Sequence, residues 1–482
     1  MLFNSIEFAI FLPLVFVLYW FVFNRDRKAQ NAMLLLASYV FYGWWDWRFL
    51  SLIVFSSLVD YLVGIGLSKT DHTQKRKLLL LISILVNLGF LGFFKYFNFF
   101  AENFAQAFTL LGNTFRVGSL NIILPVGISF YTFQTLSYSI DVYKRKLEPT
   151  KDMVAFFAFV SFFPQLVAGP IERATNLLPQ FYKDRDFEYH KAVDGMRQIL
   201  WGLFKKIVIA DNCAEYANLI FNNSSDYSGS TLLLGAIYFT FQIYGDFSGY
   251  SDIAIGTSRL FGFNLMQNFA FPYFSRDIAE FWRRWHISLS TWFRDYLYIP
   301  LGGSKGGTWM KVRNTFIIFV VSGFWHGANW TFVVWGLLNA IYFLPLLLLK
   351  QNRNNLSAVA EGRVLPSIKE LISMATTFLL TVFAWIFFRA ESISHAFKYI
   401  SGIFSWSLFT IPRNIIGHSG AYILIIVVVF VLFEWVGREQ QFGLQKLGLT
   451  WNPCIRVMIY YGIILLIIFG GGNQEQFIYF QF

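Results

Sequence analysis

Charged residues are scarce in this sequence. Only 14% of the 482 residues are charged, whereas 56% are hydrophobic and 20% are aromatic; a typical soluble domain carries about 25% charged residues. A water-soluble fold of this composition would expose more apolar surface than a dispersed protein tolerates. The composition therefore excludes an ordinary soluble domain and predicts a protein whose solvent is the lipid bilayer.

Cysteine is almost missing as well. Cys213 and Cys454 stand far apart, and neither belongs to a CxxC motif or a Cys/His ligand set. This excludes a disulfide framework and a structural zinc site, and we expect no metal. The net charge of +11 comes from basic residues in short loops between apolar runs, which is typical of cytoplasmic loops. No aromatic-and-basic module accompanies them, so nucleic acid is not an expected partner.

Long apolar runs fill most of the chain. A membrane-spanning helix needs about 20 mostly apolar residues. The first four candidate spans are Glu7–Phe23, Asn31–Tyr42, Phe49–Leu67 and Leu78–Phe100. Similar runs continue to Phe469, so we predict an all-α, polytopic membrane protein with about 10–12 spans in a single domain over residues 1–482.

Glycine and proline interrupt several of these runs, as in LPVGISF at Leu124–Phe130 and FFPQLVAGP at Phe162–Pro170. Irregular backbone at membrane depth is tolerated only where protein or a water-filled cavity surrounds it. The interruptions therefore predict re-entrant segments around an internal cavity.

Three basic loops predict the orientation of the chain. They contain Arg25–Lys28, Lys69–Lys77 and Lys144–Lys151, and each is separated from the next by two candidate spans. Because cytoplasmic loops are enriched in lysine and arginine, all three are predicted inside, which puts Met1 outside.

Two histidines enter the apolar part of the chain. His286 lies in the amphipathic, tryptophan-rich segment Phe271–Gly307, and His326 opens a long apolar run between Gly323 and Gly327. A histidine at membrane depth is costly unless it has a partner or faces a cavity. On residues alone, His326 is either a functional group or a buried hydrogen-bonding histidine, and for His286 the structural interpretation is favoured because histidine is ordinary in a charged helix.

A second polar island, Gln242–Gly256, contains Asp246 and Asp252 among small and aromatic residues. These acids either satisfy neighbouring backbone groups or form a cation or proton site in a transporter, and the first interpretation is favoured. A polysaccharide or ion-coupled transporter is the competing function from another class, and a scaffold for a polysaccharide assembly complex is a third.

Several motifs resemble the membrane-bound O-acyltransferases. FWRRWHISLSTWFRDYLYIPLGGS and SGFWHGANWTFVVWGLLNA are similar to the family signature. The bacterial branch typified by the membrane subunit of alginate O-acetylation shows stretches like LPVGISFYTFQTLSYSIDVY, FFPQLVAGPIER, YGDFSGYSDIAIG and the terminal FIYFQF. The resemblance spans nearly the whole chain.

The resemblance implies a fold and a catalytic pair. The family fold is a ring of tilted helices around a central funnel, with re-entrant and interfacial helices. His326 matches the family's active-site histidine, and His286 matches a second histidine of this branch. By this resemblance, both are catalytic candidates.

The resemblance also implies substrates and partners. The donor would be cytoplasmic acetyl-CoA, and the acceptor an alginate-like polysaccharide outside the bacterial cytoplasmic membrane, reached through a separate extracytoplasmic acetyltransferase. Peptidoglycan O-acetylation and teichoic-acid D-alanylation proteins share the motifs, so these functions stay open. In this scheme His326 is the general base, because an imidazole titrates near neutral pH, and His286 positions the thioester or stabilises the developing oxyanion.

Overall fold

The protein is built from helices. The computed structural model describes residues 1–110, 120, 122–167, 169–415, 417 and 420–478. Of these described residues 73% are helical, and none lies in a strand. This confirms the predicted all-α class.

The chain forms two compact units. The first contains Met1–Ala192 with Thr257–Met266, and the second contains Val193–Gly256 with Gln267–Phe482. The prediction of a single domain stays a prediction. The helices of the first unit are α1 (Ile6–Val17), α2 (Arg27–Asp46), α3 (Leu50–Ser68), α4 (Thr73–Leu91), α5 (Phe97–Leu110), α6 (Ile128–Tyr143), α7 (Met153–Ser161), α8 (Phe163–Leu166) and α9 (Ala174–Leu177).

Both broken runs of the first unit appear where the sequence predicts them. Gly127 has a left-handed backbone (φ 75°) just before α6, a conformation that glycine adopts without penalty. A Cβ atom there would lie 2.8 Å from the carbonyl oxygen of Leu166, at the end of the short α8. The two interruptions therefore meet, and only glycine allows so close a contact.

The remaining helices are α10 (Tyr189–Leu203), α11 (Asp211–Asn222), α12 (Gly229–Leu260), α13 (Ile278–Arg284), α14 (Ile287–Phe293), α15 (Thr308–His326), α16 (Trp330–Leu348), α17 (Ile368–Arg389), α18 (Ile393–Ile403), α19 (Arg413–Ile415), α20 (Ala421–Gly437) and α21 (Pro453–Phe469). A π-helical segment, Phe204–Ala210, joins α10 to α11. Such segments are rare and frequently mark functional sites.

Glycine brings α10 and α12 together in the second unit. A Cβ atom on Gly249 would lie 2.8 Å from the carbonyl oxygen of Gly202, and one on Gly256 would lie 2.5 Å from that of Gly195. Small residues of this kind let helices pack backbone to backbone in membranes.

Four helical stretches of the described chain are long and apolar enough to cross a bilayer: Arg27–Ser68, Thr73–Thr109, Trp330–Leu348 and Ile368–Arg389. Four shorter apolar stretches are Ile6–Val22, Met153–Leu166, Ala421–Gly437 and Pro453–Phe469. The protein is therefore a multi-pass membrane protein. The count of about 10–12 spans and the ring around a funnel stay predictions.

Candidate active site

His326 is the last residue of α15. Gly327 is extended (φ −166°, ψ 154°) and stops the helix, and the Asn329 side chain caps α16 by accepting a hydrogen bond from the N–H of Thr331. The sequence-based placement of His326 at the start of an apolar run is therefore wrong, because the helix break follows the histidine. A helix C-terminus carries partial negative charge that stabilises a cationic imidazolium.

Aromatic rings surround the His326 imidazole, which is 3% exposed. The ring centroid lies 4.9 Å from that of Trp325, 5.1 Å from Trp335 and 5.3 Å from Phe388, and all three contacts are edge-on. A substrate therefore reaches this imidazole only if one of these side chains moves.

The glycines around His326 serve helix packing. A Cβ atom on Gly323 would collide with the carbonyl oxygen of Phe332, and one on Gly327 would collide with the Phe332 ring. On the facing helix, Gly336 meets the carbonyl oxygen of Phe319 in the same way. These glycines therefore let α15 and α16 pack closely against each other.

His286 occupies a strained turn between α13 and α14. Its backbone is left-handed (φ 44°, ψ 54°), which is uncommon for a residue with a side chain, and the imidazole is 1% exposed. The side chain of Asn268 lies 3.1 Å from Nδ1 of His286. The backbone carbonyl oxygen of Asn268 accepts a hydrogen bond from the N–H of Ile287 at 2.9 Å. Its side-chain Oδ1 accepts one from the N–H of Ser288 at 3.2 Å.

The structure brings the two histidines to the same tryptophan. The Trp325 ring centroid lies 6.2 Å from that of His286 and 4.9 Å from that of His326. Phe247 completes the apolar surroundings of His286, with centroids 4.6 Å apart. Two buried imidazoles that are 40 residues apart in sequence therefore share one indole, which the sequence did not predict.

A cavity of about 260 Å³ runs beside α15. It contacts Thr315, Phe319 and Ser322 on that helix, and the spacing puts these residues on the same helical face as His326, which follows Ser322 by about one turn. Trp282 lies in the cavity wall, and its ring is 5.6 Å from that of Trp335. Trp335 in turn contacts the His326 ring, so two indoles connect the cavity wall to His326.

Polar side chains also line the cavity. Its lining includes Arg294, Tyr298, Ser304 and Arg353. Arg294 pairs with Asp295 at 2.7 Å, and Arg353 is exposed. The cavity thus combines apolar walls with cationic groups, a combination suited to a long ligand with an anionic end.

Arginines of the amphipathic segment fix α13 in place. Arg276 and Arg284 both pair with the buried Glu280, at 3.0 and 2.9 Å. Both also donate to the carbonyl oxygen of Ser357 at 2.8 Å, so the polar loop after α16 is anchored to α13. A buried carboxylate needs such partners. The turn that holds His286 therefore begins at a rigid helix.

Sequence reasoning missed two buried lysines on the π-helical segment, and we call their group the lysine–aspartate cluster. Lys205 pairs with Asp252 at 2.5 Å, and Lys206 pairs with Asp211 at 2.7 Å and with Asp246 at 2.8 Å. The signal was two adjacent lysines inside the apolar run LFKKIVIA. Lysines pair with both acids of the polar island, Asp246 and Asp252. These two carboxylates are therefore not a free site for a transported cation.

The C-terminal segment supports this region. Lys206 donates to the carbonyl oxygen of Glu475 at 3.0 Å, and Asp246 accepts from the N–H of Ile478 at 2.6 Å. Phe477 is buried with its ring 4.4 Å from Tyr250 and 6.0 Å from Phe247. The hydrogen bond from Ile478 agrees with the favoured interpretation of Asp246 as an acid that accepts hydrogen bonds from neighbouring backbone groups. Residues 479–482 of the terminal FIYFQF motif lie outside the described residues.

Comparisons with known proteins show the family of this chain. A sequence profile of the membrane-bound O-acyltransferase family matches residues 39–374, a range that contains both histidines. A probable alginate O-acetylase of Pseudomonas aeruginosa is 39% identical over 443 residues, which cover 91% of this chain and 82% of the relative.

Two relatives of other description also match. A peptidoglycan O-acetyltransferase of Helicobacter pylori is 32% identical over 534 residues, with 100% of this chain and 98% of the relative covered. A teichoic acid D-alanyltransferase of Bacillus subtilis is 29% identical over 236 residues, with 46% and 58% covered. The profile and the full-length matches confirm the resemblance: this chain belongs to the membrane-bound O-acyltransferase family and is a membrane O-acyltransferase.

Proposed function

We propose that this acyltransferase takes an acetyl group from cytoplasmic acetyl-CoA and delivers it across the bacterial cytoplasmic membrane for O-acetylation of an extracytoplasmic polysaccharide. The observation that carries the proposal is the pair of buried imidazoles that share Trp325, beside a cavity with apolar walls and cationic groups. The relatives named as O-acetylating proteins match over 91–100% of the chain, and the D-alanyltransferase matches over 46%, which favours acetyl over D-alanyl.

His326 acts as the general base in this proposal. The hydroxyl oxygen of the acceptor attacks the thioester carbonyl carbon while its proton passes to His326. The carbon–sulfur bond then breaks, and the thiolate leaves with the proton from the imidazolium as free coenzyme A. The partial negative charge at the end of α15 stabilises the imidazolium between the two proton transfers.

Membranes containing the protein test the reaction class. With radiolabelled acetyl-CoA and acceptor polymer, we expect ester-linked label on the acceptor or on a partner acetyltransferase. A transporter would move substrate without consuming acetyl-CoA, and a scaffold would do neither. If the purified chain alone acetylated polymer fully, the proposed extracytoplasmic partner would not be needed.

The cavity beside α15 is the proposed donor route. Its apolar walls suit the pantetheine arm and its cationic groups suit the phosphates of coenzyme A. Charge reversal by Arg353→Glu is expected to raise the KM for acetyl-CoA roughly tenfold, about 1.4 kcal/mol, with little change in kcat. Kinetics on membranes measure this, and the exposed Lys398→Glu on α18 is the matched control. An unchanged KM in Arg353→Glu would remove the cavity from the donor route.

We also propose that Met1 lies outside and that the basic loops lie inside. An Asn4→Cys variant in a Cys454→Ser background is expected to react with a membrane-impermeant maleimide on intact spheroplasts. Lys75→Cys, in the second basic loop, is expected to react only after lysis. Cys213 is buried and adds no background. The reverse labelling pattern would invert the topology.

A further inference from the structure

Asn268 holds the turn that presents His286. It is fully buried, and its backbone oxygen accepts from the N–H of Ile287 at 2.9 Å. Its side-chain Oδ1 accepts from the N–H of Ser288 at 3.2 Å and from the hydroxyl of Ser288 at 2.8 Å. Its Nδ2 donates to Ser251 on α12 at 3.1 Å. One asparagine thus joins the strained histidine turn to a long helix.

These contacts fix which atom of the Asn268 amide faces His286. A backbone N–H can only donate, so the atom 3.2 Å from the nitrogen of Ser288 must be the oxygen. The same oxygen lies 3.1 Å from Nδ1 of His286. If Nδ1 carried a lone pair, two acceptors would face each other at that distance. The hydroxyl of Ser288 also lies 3.4 Å from Nδ1, but its hydrogen goes to Asn268 at 2.8 Å. The contact with Asn268 therefore assigns the hydrogen to Nδ1, which donates it to the amide oxygen.

From this geometry we infer that Asn268 is a positioning residue that holds His286 in the Nδ1–H tautomer, in which Nε2 is the acceptor atom of the ring. The inference deepens the proposed function and rests on it. It also assigns a chemistry to the ring: in this tautomer Nε2 can only accept a hydrogen bond, from an O–H or N–H group.

The tautomer revises one role expected for His286. A neutral ring with its hydrogen on Nδ1 has no hydrogen on Nε2, so it does not stabilise an oxyanion through that atom. In the proposed reaction His326 takes the proton of the hydroxyl, and Nε2 of His286 donates no hydrogen bond to the oxyanion.

The tautomer is read directly from nitrogen chemical shifts. We expect ¹⁵N-histidine spectra of the full chain in lipid nanodiscs to show His286 with a protonated Nδ1 and an unprotonated Nε2, the signal being assigned by its loss in His286→Gln. A protonated Nε2 would overturn the inference. This readout does not involve acetyl transfer, so it fails or succeeds separately from the proposed function.

Two variants separate positioning from packing. Asn268→Leu removes the acceptor of the Nδ1 hydrogen and should therefore change the His286 tautomer. It should lower kcat roughly 10–100-fold and leave KM within about twofold of the wild-type value. Asn268→Asp keeps an oxygen opposite Nδ1 and should keep the tautomer and more activity than the leucine variant. The matched control is Asn212→Leu. Asn212 is buried and donates to the carbonyl oxygens of Val208 and Gly470, so its loss should leave the His286 signal unchanged. Asn268 would not set the tautomer if Asn268→Leu kept the Nδ1–H form or if Asn268→Asp lost it. If the leucine variant does not fold, the spectra of the wild type and of the aspartate variant still decide whether Asn268 sets the tautomer.

Discussion

His326→Ala is expected to abolish acetyl transfer while the protein stays folded in the membrane. General base catalysis contributes about 10²–10⁴ in rate, and the alanine variant has no group at the end of α15 that could take the hydroxyl proton. The measurement is ester-linked acetate on surface polymer in a deletion strain that carries the variant, compared with the wild-type gene. Protein abundance in the membrane fraction is measured on the same cells.

His190→Ala is the matched control for this experiment. His190 lies on the first turn of α10 with an exposed side chain, so its loss should leave acetylation at the wild-type level. A His326→Ala strain with wild-type acetate would end the assignment of His326 as the base. His286→Ala is expected to reduce transfer by a smaller factor, because in the proposed reaction His286 does not take the hydroxyl proton.

Lys206→Met is expected to destabilise the protein strongly. The Lys206 side chain is 1% exposed and pairs with both Asp211 and Asp246. Methionine keeps much of the volume but leaves two buried carboxylates without their cation, a loss of about 3–5 kcal/mol. It also removes the donor that holds the carbonyl oxygen of Glu475. Unfolding of the purified protein in detergent, followed by tryptophan fluorescence, measures the change.

The surface pair Lys191–Glu188 supplies the control for Lys206. Its N–O distance is 2.6 Å, as short as in the cluster, but the two side chains are 49% and 58% exposed. Lys191→Met should therefore cost well under about 1 kcal/mol. Equal effects of the two substitutions, or an unchanged unfolding midpoint in Lys206→Met, would show that the lysine–aspartate cluster does not stabilise the fold.

The helical class could be predicted because membrane helices carry their signal locally. Apolar runs of sufficient length mark spans, and Leu124–Phe130 contained the glycine that becomes left-handed at Gly127. Helix ends were harder to predict. At His326 the apolar character continues from α15 into α16, so hydropathy did not locate the break, which depends on the extended Gly327 and the cap at Asn329.

The site was only partly predictable for a related reason. The family motifs named both histidines, but their meeting at Trp325 depends on how α14 and α15 pack, and packing leaves no periodic trace in the sequence. Asn268 carried no signal, because an asparagine between two phenylalanine-rich stretches has many ordinary uses. Lys205 and Lys206 were visible as charges in an apolar run, yet their partners lie on α11 and α12 and are chosen by tertiary contacts.

The proposed acetyl transfer requires that a thioester reach the His326 imidazole despite its aromatic surroundings. The most direct measurement is a structure of the protein in lipid with a non-reactive ketone analogue of acetyl-CoA. We expect the pantetheine arm in the cavity beside α15, the indoles of Trp282 and Trp335 moved apart, and the analogue's carbonyl beside the His326 ring. A bound analogue whose carbonyl lies elsewhere, with His326 still enclosed by Trp325, Trp335 and Phe388, would contradict the account.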